Sequence, residues 1–260
     1  MSFERIQPDT FGWEAFYGNH MRRYMFAAEE LKQLAARRVL DVACGVGYGA
    51  KFLASECACE VTATDRDAGA LKIASSRFSH PAVSFVVDDC HTLEKCGRAD
   101  EFDAIVCFET IEHLLEPERF LTRCANLLRR SGLLIISTPN ISAGSHSAWE
   151  YHEKEYTAVE FVSLLKQCGF KNPMLLGQSL TQIGRLRSSV RRELNRLHSN
   201  PFVRVGRLLQ RILRNRTEID VVLPEQVEDF EIEPFASPEQ CDDLGGNGPF
   251  VLVCIAKCEK

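Results

Sequence analysis

The first two thirds of this 260-residue chain alternate short apolar runs with amphipathic stretches. Five apolar runs have the composition of strands: Arg38–Val42, Glu60–Thr64, Val83–Val87, Phe102–Phe108 and Leu133–Ser137. Four amphipathic stretches have the periodicity of helices: Gly47–Ser55, Asp67–Phe78, Pro117–Arg130 and Ala158–Gln167. Strands joined by helical crossovers pair in parallel, and ligands bind beyond their carboxyl ends. The alternation therefore predicts an α/β fold with a doubly wound sheet.

The last third of the chain departs from this alternation. Apolar runs at Pro173–Leu180 and Pro249–Lys257 raise the expected number of strands to seven. Between them, Thr181–Arg216 carries a net charge of +9 and Thr217–Asp243 a net charge of −10. We therefore expect a helical cap at 1–35, a core at 36–180 plus 249–260, and an inserted helical segment at 181–248, basic and then acidic.

Composition excludes several classes of protein. The chain is 45% apolar and 26% charged with a net charge of −5, and it has no apolar run of eighteen residues, so it predicts no transmembrane segment. Its start lacks a signal-peptide pattern. The eleven cysteines are scattered through apparent strands and helices, which indicates free thiols in a reducing compartment. We expect a cytoplasmic protein, with peripheral contact at the inner membrane face as an open alternative.

A glycine-rich turn follows the first strand, in VLDVACGVGYG. Its G-x-G-x-G spacing departs from the G-x-G-x-x-G pattern that binds dinucleotides, so a pyrophosphate ligand is disfavoured. Asp41 lies within the first strand, Asp65 ends the second, and Asp89 follows the third. An acid-rich site without a pyrophosphate clamp suits a cationic nucleoside such as S-adenosylmethionine.

Five motifs in order, VLDVACGVGYG, TATD, VVDDCHTL, FDAIVCFETIEHL and LLRRSGLLIISTPN, resemble the class I S-adenosylmethionine-dependent methyltransferases of type 11/12. The resemblance implies a Rossmann-like, mostly parallel sheet whose last strand runs antiparallel. The cofactor-binding residues that it implies are Asp41, Ala43, Gly45, Gly47, Asp65, Arg66, Asp89, Cys90 and Phe108. Many members carry glycine where this chain has Ala43, and alanine should be tolerated there if its φ is negative.

The stretch FETIEHLLEPERF, after the fourth strand, places Glu109, Glu112 and His113 on one face of a helical turn. Such a group is a metal site, an acid–base site or an ordinary helix start. A fourth candidate, His152 in YHEKEYT, follows the fifth strand and emerges at the same edge of the sheet.

This arrangement resembles the metal site of small-RNA 3′-terminal 2′-O-methyltransferases and the Glu-x-x-Glu-His of ubiquinone-pathway O-methyltransferases. The resemblance implies a divalent ion, Mg²⁺ or another cation, on Glu109, Glu112, His113 and His152. An ion that binds two adjacent hydroxyls would make an alkyl hydroxyl a competent nucleophile. We assign catalytic roles to His113, Glu109 and His152; without a metal, His113 or His152 is the candidate general base.

Further residues are candidates for the site. His20, Arg23 and Tyr24, in a predicted N-terminal helix over the cofactor, can reach its carboxylate or the acceptor, and surface packing is the alternative. Asn140 and Trp149 are pocket candidates, with a turn and a core aromatic as the alternatives.

The basic segment Thr181–Arg216 interleaves arginines with apolar residues at helical spacing. Three interpretations stay open: pairing with the neighbouring acidic block, contact with a membrane surface or glycolipid, and contact with nucleic acid, which is the least favoured.

The leading functional hypothesis is O-methylation of a small-molecule or glycan acceptor, since the overall sequence is similar to bacterial methyltransferases of polysaccharide synthesis. An RNA 3′-terminal 2′-O-methyltransferase is the alternative. A non-catalytic S-adenosylmethionine-binding module is an alternative of another class, disfavoured by Gly45, Gly47, Asp65 and Asp89. A nicotinamide oxidoreductase is disfavoured by the glycine spacing.

Overall fold

The computed structural model describes residues 13–143, 152–182, 184–186, 188–189, 227–244 and 248–258. Its strands are β1 Arg38–Val42, β2 Glu60–Asp65, β3 Val83–Val87, β4 Phe102–Cys107, β5 Leu128–Pro139, β6 Phe170–Leu180, β7 Phe230–Pro234 and β8 Val251–Cys258. They form one sheet in the order β3-β2-β1-β4-β5-β8-β6-β7. Strands β1 to β5 pair in parallel, and the other neighbours pair antiparallel.

Helices cover both faces of this sheet. They are α1 Trp13–Leu34, α2 Tyr48–Cys57, α3 Ala68–Arg77, α4 Pro117–Leu127, α5 Ala158–Gln167 and α6 Pro238–Asp243. Buried side chains of α1, α2 and α3 join one apolar core, and those of α4, α5 and α6 join the other. Two cores that sandwich a largely parallel sheet confirm the predicted doubly wound α/β fold.

The seven predicted strands are present, and β8 runs antiparallel to β5 as expected. The sheet has an eighth strand, β7, which was not predicted and comes from the acidic part of the insertion. Its sequence FEIEP alternates apolar and acidic residues, and Phe230 is buried while Glu233 is exposed. Acidic residues suit an edge strand because they discourage pairing with another chain. This strand was not predicted because its short apolar–acidic alternation lies in a segment rich in acidic residues.

The predicted helix Pro117–Arg130 is too long by one turn. It ends at Leu127, and Leu128 pairs with Phe102 in the sheet. Arg129 then forms a 2.6 Å ion pair with Asp103. This tertiary pairing takes the last predicted turn out of the helix.

The acidic block also caps a core helix. The Asp242 carboxylate accepts hydrogen bonds from the N–H groups of Ala158 at 2.7 Å and Val159 at 3.0 Å, at the start of α5. Thr157 and Glu160 form the predicted capping box at the same helix end. Together these side chains satisfy donors that a helix start leaves without partners.

Replacing Asp242 with alanine is expected to destabilise the protein by about 1–2 kcal/mol, because two N–H groups lose their acceptor. Urea unfolding measures the change. Asp243→Ala is the control, since Asp243 is the exposed neighbour. Equal stability of the two variants would contradict the capping role.

Candidate functional site

The glycine turn between β1 and α2 has the backbone geometry that only glycine adopts without strain. Gly45 has φ +57° and Gly47 has φ +82°. A Cβ on Gly47 would lie 2.7 Å from the Phe85 ring and 2.8 Å from Ala74. A Cβ on Gly45 would meet no atom of the described residues within 4 Å. Space above Gly45 therefore lets a ligand approach the backbone closely.

Ala43 corrects one expectation. Its φ is +56°, in the left-handed region, so the negative φ on which easy tolerance of alanine depended is not observed. A left-handed conformation costs an L-residue with a Cβ about 1–2 kcal/mol. The turn imposes this geometry on Ala43 as it does on Gly45 and Gly47, because all three bend the chain from the strand into the helix.

Ala43→Gly is expected to stabilise the protein by about 0.5–1 kcal/mol, since relief of strain outweighs the extra entropy that glycine loses on folding. Thermal and urea unfolding measure it. The same exchange at Ala50, inside α2, serves as the control and should destabilise by about 1 kcal/mol. A loss of stability at both positions would contradict the strain.

Asp65, at the end of β2, is buried and holds the glycine turn in place. Its carboxylate accepts the N–H of Gly45 at 3.0 Å and the N–H of Asp67 at 2.8 Å. Each carboxylate oxygen can accept a second hydrogen bond. Asp65 therefore lies where it can also accept from ligand hydroxyls beside Gly45, whereas the neighbouring Arg66 is exposed.

The two acids after β3 differ in role. Asp88 is buried and accepts from the backbone N–H groups of Asp89, Lys95 and Cys96 at 2.7–3.0 Å. It thereby organises the loop that presents the next residues. Asp88 was quoted in the motif but not singled out as a functional residue.

Asp89 and Cys90 lie on that loop. Asp89 accepts from the backbone N–H of His91 and pairs with its ring, and these contacts lower the Asp89 pKa. Burial raises the pKa of the Cys90 thiol to about 11, so the thiol stays neutral. An exposed acceptor beside a neutral, partly buried thiol is compatible with the predicted adenine end of the site.

Asp41 is buried in β1 beneath α1. The Tyr24 hydroxyl lies 3.3 Å from both of its carboxylate oxygens. Burial, with a smaller contribution from the Asp65 charge and against the opposing effect of the Tyr24 hydrogen bond, raises the pKa of Asp41 to about 8. The Tyr24 ring also packs edge-on against Phe108 and Tyr48, with centroids 5.1 and 5.7 Å away. Helix α1 thus covers the predicted site through Tyr24.

The raised Asp41 pKa predicts a pH-dependent stability. Between the unfolded pKa, near 4, and about 8, the folded state binds more protons at this carboxyl, so its contribution to stability falls as pH rises through that window. Asp41→Asn cannot ionise, and the variant should gain stability relative to wild type, by more than about 1 kcal/mol, between pH 5 and pH 8.

Urea unfolding of both proteins at pH 5, 6.5 and 8 measures this difference. The exposed Asp243→Asn is the matched control and should show the same difference from wild type at each pH. A constant difference for Asp41→Asn would contradict the shift.

Arg23, on the same helix, is fully buried although it is charged. Its Nη1 donates to Asn19 Oδ1 and to Gln178 Oε1, both at 2.7 Å, and the guanidinium lies 6.0 Å above the Phe108 ring centroid. Nε and Nη2 are buried and, among the described residues, have no hydrogen-bond partner. These two N–H groups form one edge of the planar guanidinium, the edge that binds a carboxylate in bidentate fashion.

Two hydroxyls at the end of β5 hold the two glutamates. Ser137 Oγ donates to Glu109 Oε1 at 2.7 Å, and Thr138 Oγ1 donates to Glu112 Oε2 at 3.2 Å. Burial, followed by the nearby Glu109, raises the pKa of Glu112 well above its ordinary value. Glu112 is sealed from solvent, whereas Glu109 is partly exposed.

The structure brings the two predicted histidines together. The rings of His113 and His152 lie 4.9 Å apart, and His113 Nε2 is 3.9 Å from Glu112 Oε1. Ligand atoms of Glu112, His113 and His152 all lie within 4.8 Å of one another, in a group that does not include Glu109. His152 Nδ1 contacts Glu155 Oε1 at 3.0 Å. If Nδ1 carries the proton there, Nε2 has a lone pair for a metal, the arrangement found around many histidine ligands.

A backbone contact fixes the loop that carries His152. The Glu112 carbonyl accepts the N–H groups of Glu153 at 2.8 Å and Lys154 at 3.1 Å. The loop after β5 is thereby tied directly to the turn after β4. This contact explains how His113 and His152, which are 39 positions apart, come close together. No local sequence pattern predicts it.

The remaining candidates are resolved in part. Asn140 donates to the Pro249 carbonyl at 2.9 Å and accepts the Ser142 N–H at 3.1 Å, so its turn role is the one observed. Trp149 and most of the basic segment lie outside the described residues. Ser137, Thr138 and Gln178 were missed, although a hydroxyl pair at the end of a central strand was a usable signal.

Comparison with known proteins agrees with this architecture. Residues 40–136 match the family model described as a methyltransferase domain. The chain is 35% identical over 178 residues to a Mycobacterium tuberculosis protein named "Probable S-adenosylmethionine-dependent methyltransferase", a match covering 67% of this chain and 62% of that protein. The core of this chain is therefore similar in sequence to methyltransferase domains. The match spans less than two thirds of that relative's length.

Two further proteins are similar to this chain, one in sequence and one in fold. The ubiquinone biosynthesis O-methyltransferase of Alkalilimnicola ehrlichii is 35% identical over 126 residues, covering 48% of this chain and 50% of that enzyme. A crystal structure of an S-adenosylmethionine-dependent methyltransferase from Archaeoglobus fulgidus aligns with a TM-score of 0.54 at 18% identity, covering 93% of this chain and 98% of that one. This structural similarity establishes the shared fold.

None of the helices in the described ranges combines the length and apolar character needed to cross a bilayer.

Proposed function

We propose that this protein transfers a methyl group from S-adenosylmethionine to a hydroxyl of a sugar or another small polar acceptor. The observation that carries the proposal is the buried Arg23 edge, whose two donors call for an anion. Open space above Gly45 and the Asp65 carboxylate supply the other features that an amino-acid-bearing nucleoside needs. These residues fit the donor: Arg23 for its carboxylate, Asp65 for its ribose and the loop at Asp89 for its adenine.

When bound, S-adenosylmethionine supplies an electrophilic methyl group, and S-adenosylhomocysteine is the product. The acceptor oxygen forms the new C–O bond as the C–S bond breaks, and its proton must leave. Glu109, His113 and His152 lie at the carboxyl ends of β4 and β5, where they can take that proton. Glu112, whose raised pKa favours the protonated form, can instead donate a hydrogen bond to the acceptor.

A divalent ion would assist this chemistry by lowering the acidity barrier of an alkyl hydroxyl. The grouping of Glu112, His113 and His152 supports such a site, with Glu155 orienting His152. One carboxylate with two imidazoles suits Mn²⁺, Fe²⁺ or Co²⁺ better than Mg²⁺. Glu109 is held by Ser137 and serves the same site as a base or a fourth ligand.

The same grouping favours a second candidate, methylation of the 2′-hydroxyl at an RNA 3′ end, where two neighbouring hydroxyls can meet an ion. One assay separates the candidates: release of S-adenosylhomocysteine with nucleotide sugars, glycolipids or 3′-diol RNA, each with and without Mn²⁺. We expect turnover with sugar acceptors. Turnover with RNA alone would select the second candidate, and absence of calorimetric S-adenosylhomocysteine binding would overturn both.

A further inference from the structure

We infer that a recess beside the donor site holds one sugar ring of the acceptor; this inference rests on the proposed function. The recess encloses about 220 Å³. Its lining residues come from α1, from the ends of β6 to β8 and from the start of the basic segment: Asn19, Leu180, Gly184, Ser188, Asp229, Phe230 and Phe250. Nothing in the donor chemistry uses this recess.

The strand register places the recess at the catalytic edge of the sheet. Pro139 of β5 is opposite Val251 of β8, which is opposite Gln178 of β6, so these positions lie in one row. Neighbouring strands are about 4.8 Å apart, which puts the end of β6 roughly 10 Å from the end of β5. Thr138, the partner of Glu112, precedes Pro139. The recess and the acid–histidine group therefore lie at the same edge of the sheet, the edge where the parallel strands end.

The lining combines apolar and polar groups, which match the C–H face and the hydroxyls of a sugar ring. The Phe230 and Phe250 rings, 6.0 Å apart and edge-on, form an apolar wall with Leu180 that suits the C–H face of a pyranose. Asn19 and Ser188 bring amide and hydroxyl groups that suit its hydroxyls.

Size and rigidity narrow the occupant further. Pockets for drug-sized ligands measure about 300–1,000 Å³, so a recess of this size suits a single ring rather than an extended chain. A Cβ on Gly184 would collide with the Asp229 backbone, so the helical segment containing Ser188 lies directly on this wall. The recess is thus walled by backbone as well as by side chains.

Asn19 connects the recess to the donor site. Its side chain accepts from Arg23, and its backbone carbonyl accepts from Gln178 Nε2 at 3.0 Å. Helix α1 rises about 1.5 Å per residue, so Asn19 and Tyr24 are separated by roughly 7.5 Å along the axis. One helix therefore contacts both substrates of the proposed reaction.

The test uses Ser188→Phe, which fills the recess, and Ser189→Phe, its exposed neighbour, as the matched control. Methyl pyranosides of gluco, galacto, manno and rhamno configuration are the probes, observed by saturation-transfer NMR with S-adenosylhomocysteine bound. We expect at least one probe to give a signal with wild type and Ser189→Phe, and a signal at least tenfold weaker with Ser188→Phe. The Kd for S-adenosylhomocysteine should agree within twofold in all three proteins.

An unchanged signal in Ser188→Phe would overturn the assignment of the recess. Absence of any pyranoside signal in a wild-type protein that binds S-adenosylhomocysteine would overturn the sugar assignment while leaving the donor site in place. Failure of wild type to bind S-adenosylhomocysteine would instead overturn the proposed function itself. Folding of each variant is checked by its thermal unfolding.

Discussion

Arg23→Met is expected to lower the affinity for S-adenosylhomocysteine by roughly 30- to 1,000-fold, that is, by about 2–4 kcal/mol. The bound carboxylate would lose a bidentate, charge-assisted partner in a site that excludes water. Arg23→Lys keeps the charge but lacks the planar edge, so it should recover only part of the affinity. Isothermal titration calorimetry measures all three proteins.

The matched control is a change in the ligand. 5′-Methylthioadenosine has the adenosine and the sulfur of the donor but no carboxylate, so its affinity should be the same for wild type and Arg23→Met. An equal loss for both ligands would mean that Arg23 only supports the fold. Equal S-adenosylhomocysteine binding by wild type and variant would remove Arg23 from the donor site.

The stability of the ligand-free variant provides a second readout. Each buried donor without a partner costs about 1–3 kcal/mol, and Arg23→Met removes two such donors. It also leaves Gln178 Oε1 without its partner, which costs a similar amount. We therefore expect a small change in the unfolding temperature without ligand and a large loss of the stabilisation that ligand confers.

Much of this fold could be predicted from the sequence because it is encoded locally. The glycine turn needs residues that accept positive φ, and Gly45 and Gly47 supply them in consecutive positions along the chain. Thr157 and Glu160 form the capping box of α5 within four consecutive residues. Apolar runs separated by amphipathic helices define the parallel strands, and topology then brings Asp65 and Glu109 to one edge.

What could not be predicted depends on partners distant in the chain. Arg23 meets Gln178 across 155 positions, and Asp242 caps a helix that begins 84 positions earlier. The basic-then-acidic composition of the insertion left three interpretations open: pairing of the two blocks, contact with a membrane surface or glycolipid, and contact with nucleic acid. What its composition did not predict is that the acidic end contributes an edge strand and a cap to the core. The net charge of a segment indicates how well it is solvated. It does not predict strand pairing or helix capping, because these depend on contacts between particular side chains and backbone groups.

The site has opposite polarity at its two ends, and this polarity suits the proposed donor better than a dinucleotide. Arg23, on α1, offers a cationic edge, while Asp65 and Glu109 place acidic side chains at the strand ends. A dinucleotide would bring a pyrophosphate against these acids. A zwitterionic amino-acid nucleoside instead presents its carboxylate to the arginine and its cationic groups to the acids.

The second large effect is expected at His152. If a divalent ion assists the reaction, EDTA should reduce turnover at least 100-fold, and Mn²⁺ should restore it, because an unaided alkyl hydroxyl is a poor nucleophile. His152→Ala should reproduce the loss and abolish Mn²⁺ binding measured by calorimetry. Glu155→Gln, which alters only the orientation of His152, should weaken Mn²⁺ affinity by about 10- to 100-fold.

His80→Ala is the matched control, since His80 precedes β3 at the opposite end of the sheet and should leave both measurements unchanged. S-adenosylhomocysteine affinity should be equal in all of these variants, which separates the ion from the donor. Turnover that withstands both EDTA and His152→Ala would exclude the ion. The two imidazoles lie close enough for either to accept a proton from the same acceptor hydroxyl. If turnover withstands EDTA and His152→Ala but is lost in His113→Ala, the proton transfer is assigned to His113.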